Sequence, residues 1–149
     1  MQGQMLAPAA ALVCWSLIML LWMVATRFAA FGKAGVDLKT APPGGRGVNL
    51  EGVLPDKTNW KAHNYAHLME QPTIFYPAVI ILAIMGATTL DVRLAWAYVG
   101  IRVVHSLWQA TVNRIPLRAS LFFVSSLILI ALALRALMAT LFASQGVIA

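Results

Sequence analysis

Apolar residues dominate long stretches of this chain, at about residues 6–31, 60–85, 92–113 and 116–143. Each stretch is long enough to cross a bilayer, since a spanning helix takes about 20 residues. Residues 32–59 between the first two contain Pro42-Pro43-Gly44-Gly45, which cannot sustain a helix, so they form one long loop. The pattern predicts an all-α integral membrane protein, a bundle of four transmembrane helices that forms a single domain over residues 1–149.

The composition supports this prediction, because 60% of the 149 residues are hydrophobic and only 11% are charged. A net charge of +6 would suggest nucleic-acid binding in a soluble protein. Here the basic residues flank the apolar segments, as membrane orientation requires, so we expect no nucleic-acid partner. A cleavable signal peptide is the rival interpretation of the first segment. The apolar stretch is too long for one, and Arg27 lies at its end rather than its start.

Basic residues gather on one side of the predicted bundle. Those around the first loop and the last turn are Arg27, Lys33, Lys39, Arg46, Lys57, Lys61, Arg114 and Arg118. The opposite side carries only Arg93 and Arg135 near the helices. The positive-inside rule therefore places the long loop in the cytoplasm and both termini outside it. The compact chain and the absence of a retention signal favour a bacterial inner membrane.

Prolines and caps divide the apolar segments further. Pro72 and Pro77 lie inside the second segment, and each removes a backbone donor and crowds the carbonyl four residues back, so we expect this helix to bend. Gly86 and Thr88 supply a helix stop and a new N-terminal cap, which makes the second and third helices antiparallel neighbours. Pro116 occupies the first turn of the fourth helix, where its missing N–H is harmless.

Polar residues form one stripe on each of the two middle helices. The third helix carries Arg102, His105 and Gln109 at i, i+3 and i+7. The matching stripe on the second helix consists of His63, His67 and Glu70, with Asn64 slightly off its axis. Two stripes of this kind on neighbouring helices are expected to face each other.

The charged residues within the two stripes indicate a role for the stripes. Ionised side chains inside a membrane cost several kcal/mol unless they pair or serve a site. At a rise of 1.5 Å per residue, Glu70 lies ~13 Å and Arg102 ~17 Å from the cytoplasmic ends, so we predict an ion pair between them. Its simplest role is to hold two helices together. Arg114 and Arg118 alone would be orientation charges, but with the polar stripe they indicate a pocket for an anion.

Histidine spacing leaves a second interpretation of the stripes. His63 and His67 stand at i and i+4, and His105 lies on the facing helix, an arrangement that could hold a haem or a metal ion. No cysteine, aspartate or second glutamate lies nearby in the sequence. We therefore predict no metal site.

Two motifs resemble a known family. The sequence Arg102-Val-Val-His105-Ser106, followed by Asn113-Arg114-Ile-Pro116-Leu-Arg118, is similar to the third-to-fourth helix signature of the MAPEG family, the membrane-associated proteins in eicosanoid and glutathione metabolism. His67-Leu-Met-Glu70-Gln-Pro72 resembles the Asn-x-x-Glu motif of that family and its proline-containing continuation. Order, spacing and hydropathy match over roughly residues 5 to 140.

The resemblance implies a left-handed four-helix bundle that assembles as a homotrimer and binds glutathione between neighbouring subunits near the cytoplasmic face. The implied function is that of a glutathione transferase or peroxidase, with glutathione as co-substrate and a lipophilic electrophile as the second substrate. The thiol-activating arginine of the family best matches Arg118, with Arg114 second. The remaining glutathione contacts would come from Asn64, His67, Glu70, Arg102, His105, Gln109 and Ser120.

Three positions depart from the family pattern. Ala66 stands where some members have an arginine, His67 replaces the motif asparagine, and Gln109 replaces a frequent tyrosine. The loss of a cation and two ligands leaves an alternative open. The chain would then be a non-catalytic accessory or lipid-binding subunit that keeps the family fold with an eroded glutathione site.

Overall fold

The computed structural model describes residues 1–143, and these form long helices connected by turns and one loop. The helices are α1 (Gln2–Ala34), α2 (Asp56–Leu68), α3 (Pro72–Met85), α4 (Thr89–Thr111) and α5 (Ile115–Leu141). A single 3₁₀ turn, Gly47–Leu50, lies in the loop between α1 and α2. The all-helical prediction is confirmed.

The second predicted helix is in fact two helices, and the bend expected at Pro72 is a complete break. α2 ends at Leu68 and α3 begins at Pro72, whose ring lacks the N–H that the Leu68 carbonyl would accept from. A backbone hydrogen bond from the Met69 nitrogen to the Ala66 carbonyl oxygen, 2.9 Å long, closes the last turn of α2 before the break. Pro77 does not interrupt α3, which continues to Met85.

The long loop is shorter than the sequence suggested. α1 runs on to Ala34 and α2 begins at Asp56, so residues 35–55 connect them instead of the predicted 32–59. Side chains hold the loop against the helices. The amide of Asn59 donates to the carbonyls of Leu50 (3.2 Å) and Leu54 (3.3 Å), and Arg27 Nη2 donates to the Gly47 carbonyl at 3.2 Å.

The turn between α3 and α4 is formed as predicted. Gly86 ends α3 in the left-handed conformation, with φ of 94°, which a residue without Cβ adopts at no steric cost. Thr88 caps α4, because its hydroxyl accepts from the Asp91 N–H while the Asp91 carboxylate accepts from the Thr88 N–H. Asp91 also pairs with Arg135 near the end of α5, so α4 and α5 run antiparallel.

Aromatic and aliphatic side chains fill the interior between the helices. Phe75 of α3 stacks on Tyr98 of α4, with ring centroids 4.4 Å apart. Leu12 of α1, Val79 of α3 and Leu132 of α5 are fully buried around them. This apolar layer fixes α4 against the other helices and so sets the height of its polar residues.

Three segments are long and apolar enough to cross a membrane: Gln2–Ala34, Asp56–Met85 and Ile115–Leu141. α4 has 23 residues but does not share their composition, because it carries the polar stripe. It packs against α1, α2 and α5, and the stripe residues Arg102, His105 and Gln109 are buried among them. The bundle thus shields from lipid the polar groups that a membrane penalises.

Candidate functional site

A cleft of about 320 Å³ opens where α4 ends and α5 begins. α2 contributes one wall, α4 the second and α5 the third. Its lining consists of His67, His105, Gln109, Ile115, Arg118, Ala119 and Phe122. Four of these side chains are polar, and all four were predicted site residues.

His67 connects the two charges that were expected to pair directly. Its Nδ1 lies 2.9 Å from a Glu70 carboxylate oxygen, and its Nε2 lies 3.4 Å from Arg102 Nη1. Arg102 Nη2 donates to the His67 carbonyl at 3.1 Å. Because a carboxylate only accepts and a guanidinium only donates, the neutral tautomer with hydrogen on Nδ1 satisfies both neighbours.

The predicted ion pair between Glu70 and Arg102 is therefore wrong: across the described residues, no carboxylate lies within 4.0 Å of Arg102. The helix break explains this, since Glu70 lies in the turn after α2 and its side chain is 68% exposed. Arg102 is fully buried and does not line the cleft. Its contact with the cleft lining is the hydrogen-bond distance to the imidazole of His67.

His105 faces the cleft beside His67 and Phe122. Its ring centroid lies 5.0 Å from that of His67 and 6.5 Å from that of Phe122. Within residues 1–143, neither ring nitrogen of His105 has a hydrogen-bond partner. Neither nitrogen is completely shielded from solvent, so both are accessible from the cleft. His105 thus presents an uncommitted imidazole to whatever occupies the cleft.

The end of α4 positions Arg118. Asn113 terminates the helix with φ of 55°, and its side-chain oxygen accepts a hydrogen bond of 2.6 Å from Arg118 Nη1. This contact leaves the other guanidinium donors available to a ligand. The α5 backbone begins at Ile115, so Arg118 lies in its first turn, as the sequence suggested.

Arg114 and Ser120, also predicted as site residues, lie outside the cleft. Arg114 is exposed, and its carbonyl accepts from Trp108 Nε1 at 3.1 Å. The Ser120 hydroxyl is exposed and donates to the Pro116 carbonyl at 3.0 Å. Of the two candidate thiol-activating arginines, only Arg118 lines the cleft.

Two predicted amide ligands are buried with unused polar atoms. Gln109 lines the cleft, and its Oε1 lacks a partner among the residues that the structure describes. Asn64 is buried on α2, the helix that forms one wall of the cleft, and both of its amide atoms are likewise without partners in residues 1–143. Buried amides normally make hydrogen bonds, so both positions have capacity for a further polar group.

Residues missed by the sequence reasoning supply the apolar side of the cleft and a polar cluster below it. Ile115, Arg118, Ala119 and Phe122 follow helical spacing, so the position of Arg118 was enough to identify the other three. Below them, Gln71 in the helix break accepts from Tyr98 at 3.3 Å and donates to Ser126 at 2.7 Å. No sequence motif pointed to this cluster.

His63 does not join the other histidines. Its Nε2 lies 2.8 Å from a Glu51 carboxylate oxygen, so it is directed to the loop rather than to the cleft. The three-histidine arrangement considered for haem or metal is therefore not formed. Over residues 1–143 no three histidine, cysteine, aspartate or glutamate side chains converge as metal ligands would.

The sequence of the chain matches a protein-family model. The model of the MAPEG family matches residues 5–138, nearly the whole chain. The protein belongs to the MAPEG family. A search among curated proteins found no match, and a search among solved structures found none either.

Membership gives the cleft a chemical context. MAPEG proteins are glutathione-related membrane proteins, and the two motifs that carry the resemblance, on α2 and on α4–α5, contribute three of the four polar residues of the cleft, namely His67, His105 and Arg118. The motif position that holds His67 is the one that contacts both Glu70 and Arg102. This MAPEG protein therefore has its family motifs gathered around one cavity.

Proposed function

We propose that this MAPEG protein is a membrane-bound, glutathione-dependent transferase or peroxidase that acts on a lipophilic electrophile. Glutathione would occupy the cleft, with its thiolate stabilised by Arg118. The observation that carries the proposal is the convergence of Arg118, His67, His105 and Gln109 on that one cavity, at the end of the bundle that holds the basic loop.

Arg118 has the chemistry that thiol activation needs. A free thiol has a pKa of about 8.5 and reacts as its thiolate. Lowering the pKa of the bound thiol by ~2 units takes ~3 kcal/mol of differential interaction, which one guanidinium in a low-dielectric site can supply. An arginine side chain carries a permanent positive charge in proteins, and Asn113 restrains that of Arg118 through a single hydrogen bond. The remaining donors are available to the sulfur or to a carboxylate of glutathione.

The other cleft residues suit the rest of the tripeptide. Glutathione carries two carboxylates and one ammonium. The exposed carboxylate of Glu70 is available to the ammonium, while Gln109 offers an unused amide oxygen. His67 and Phe122 would contact the peptide planes. Asn64 and Arg102 would support the site from within the bundle rather than by direct contact.

We further propose that α1, the α2–α3 segment, α4 and α5 each cross the membrane once. We also propose that the protein is a homotrimer with its cleft between subunits. Glu70 is a charged side chain, 68% exposed, in a segment apolar enough to span a bilayer. A carboxylate facing lipid alone is costly. A neighbouring subunit that covers Glu70 and the open side of the cleft would remove that cost. By the positive-inside rule we propose that this end of the bundle faces the cytoplasm and both termini the other side, and we propose a bacterial inner membrane as the location.

Binding and activity measurements test the proposal. We expect detergent-purified protein to bind glutathione by equilibrium dialysis, and to conjugate chlorodinitrobenzene or reduce a lipid hydroperoxide only when glutathione is present. Arg118→Ala should lower the rate by about 10²–10³, the usual loss when one electrostatic stabiliser is removed. Arg93→Ala is the matched control, because Arg93 is an exposed arginine at the opposite end of α4. Wild-type protein that binds no glutathione would refute the proposal.

A second function has its own support. Arg102 spends two donors on His67, and Ala66 stands where some MAPEG members carry an arginine, so fewer cations are available for glutathione carboxylates. A non-catalytic accessory or lipid-binding subunit would tolerate both changes. Such a protein would retain trimer formation and bind lipid, yet show no glutathione binding and no glutathione-dependent turnover.

A further inference from the structure

The two histidines of the cleft differ in how many of their ring nitrogens are free to contact a ligand. His67 uses both ring nitrogens, one towards Glu70 and one towards Arg102. His105 lies next to it with both nitrogens uncommitted within residues 1–143 and with its ring lining the cleft. Of the two histidines, only His105 can accept a hydrogen bond or a proton from a ligand without breaking an existing contact.

Two guanidinium groups and a second imidazole surround His105. Arg102 precedes it by one turn on α4, and Arg118 faces it from α5. From α2 the neighbour is the neutral ring of His67, with the Glu70 carboxylate behind it. A guanidinium group has no site that accepts a proton, and both ring nitrogens of His67 are already in contacts, so the uncommitted ring of His105 is the proton acceptor of this cluster.

We propose that His105 is the catalytic base that accepts the proton of the glutathione thiol, an inference that rests on the proposed function. The S–H bond breaks, its electron pair stays on sulfur, and the proton forms an N–H bond on the imidazole. Arg118 stabilises the thiolate, and the thiolate in turn offsets the new charge on His105. After the sulfur has attacked the electrophile, the imidazolium returns the proton to the leaving group or to water at the mouth of the cleft.

His105→Gln tests the assignment, since glutamine keeps a polar group of similar size but cannot take the proton. Arg118 remains in the variant and, on the proposed function, holds the pKa of the bound thiol ~2 units below the free value of about 8.5, so the thiol is only ~3% ionised at about pH 5 and the variant should lose up to ~30-fold in rate there. The loss should vanish at alkaline pH, where the thiol ionises unaided, and glutathione affinity should change little. His63→Gln is the matched control, because His63 pairs with Glu51 away from the cleft. A rate deficit that is the same at every pH would overturn the assignment.

Calorimetry on the wild-type protein gives a test that needs no variant. If His105 takes the thiol proton, glutathione binding should release no proton to the buffer, and its enthalpy should be the same in buffers of different ionisation heat. S-methylglutathione, which has no thiol proton, provides the baseline. Release of about one proton per glutathione above that baseline would show that the proton goes to solvent and would overturn the role of His105.

The two levels of proposal fail in different ways. Absence of glutathione binding in the wild type refutes the transferase or peroxidase function and, with it, the role of His105. Binding and turnover together with an unchanged pH profile in His105→Gln refute only the proton-acceptor role. Arg118 would then activate the thiol alone.

Discussion

Replacing His67 by phenylalanine should destabilise the bundle because it strips Arg102 of a buried partner. Arg102 is 0% exposed, its Nε already lacks a partner within residues 1–143, and its Nη1 contacts the His67 ring. The backbone contact from Nη2 to the His67 carbonyl would remain. Hydrogen bonds to charged groups contribute ~1.5–3 kcal/mol, so we expect a loss of about 2–3 kcal/mol in the free energy of unfolding.

A second substitution separates loss of a partner from loss of volume. Adding Arg102→Leu to His67→Phe replaces both members of the polar contact by apolar side chains. Such a replacement often leaves the stability of a protein close to that of the form with the buried charged groups. The double variant should therefore recover most of the stability lost in the single one. His63→Phe is the matched control, because the pair that His63 forms with Glu51 is about half exposed and should contribute less than ~1 kcal/mol.

The assay is reversible unfolding in mixed detergent micelles, followed by circular dichroism, with any oligomer separated from monomer by size. His67→Phe should unfold at a lower denaturant fraction than wild type, and the double variant should lie between them or near wild type. If His67→Phe is as stable as wild type, His67 does not satisfy Arg102. If the double variant is less stable than the single one, Arg102 has another role in the bundle.

Three further substitutions probe the turns and the loop. Asp91→Ala should lower the free energy of unfolding by about 2–3 kcal/mol, because the Thr88 N–H and the partly exposed guanidinium of Arg135 both lose the carboxylate that accepts from them. An effect below ~1 kcal/mol in the same micelle assay would contradict that role. Gly86→Ala should lower the free energy of unfolding by about 1–2 kcal/mol, because φ there is 94° and no atom lies within 4 Å of the added Cβ to cause a clash. Gly100→Ala, in the regular helix α4, is the control and should be neutral or stabilising. Equal effects of the two substitutions would show that backbone strain is not the cause. Gly47→Ala places a Cβ 2.9 Å from Arg27 Nη1, so it should release the loop and speed limited proteolysis within residues 35–55, and an unchanged cleavage rate would argue against the Arg27 contact.

Hydropathy identified the helices because lipid and core both select apolar residues, but it located their ends poorly where the chain leaves the membrane. α2 begins at Asp56, four residues before the predicted start, since its first turn is polar and carries no hydrophobic signal. Asp56 itself was a usable sign, because an acidic residue in the first turn after Pro55 is typical of a helix start. The break before Pro72 could be predicted as a bend but not as a lost turn.

The sequence likewise predicted some contacts of the candidate site and missed others. Helical spacing placed His105 and Gln109 on one face, and the structure brings both to the cleft. The Glu70–Arg102 pair was wrong because it assumed a continuous helix through Glu70 and treated His67 as a bystander. Spacing also could not separate Arg114 from Arg118. Their difference depends on the backbone of the turn, where Asn113 has φ of 55°.

Asn113 places two requirements on one position. Its backbone must adopt a conformation that most residues avoid, and its side chain must offer an oxygen to Arg118. Glycine meets the first requirement and lacks the oxygen. Aspartate meets both but brings a negative charge that would cancel the attraction of Arg118 for an anion. Few replacements at residue 113 would therefore preserve both the path of the chain and the charge of the cleft, so the sequence has little freedom there to drift.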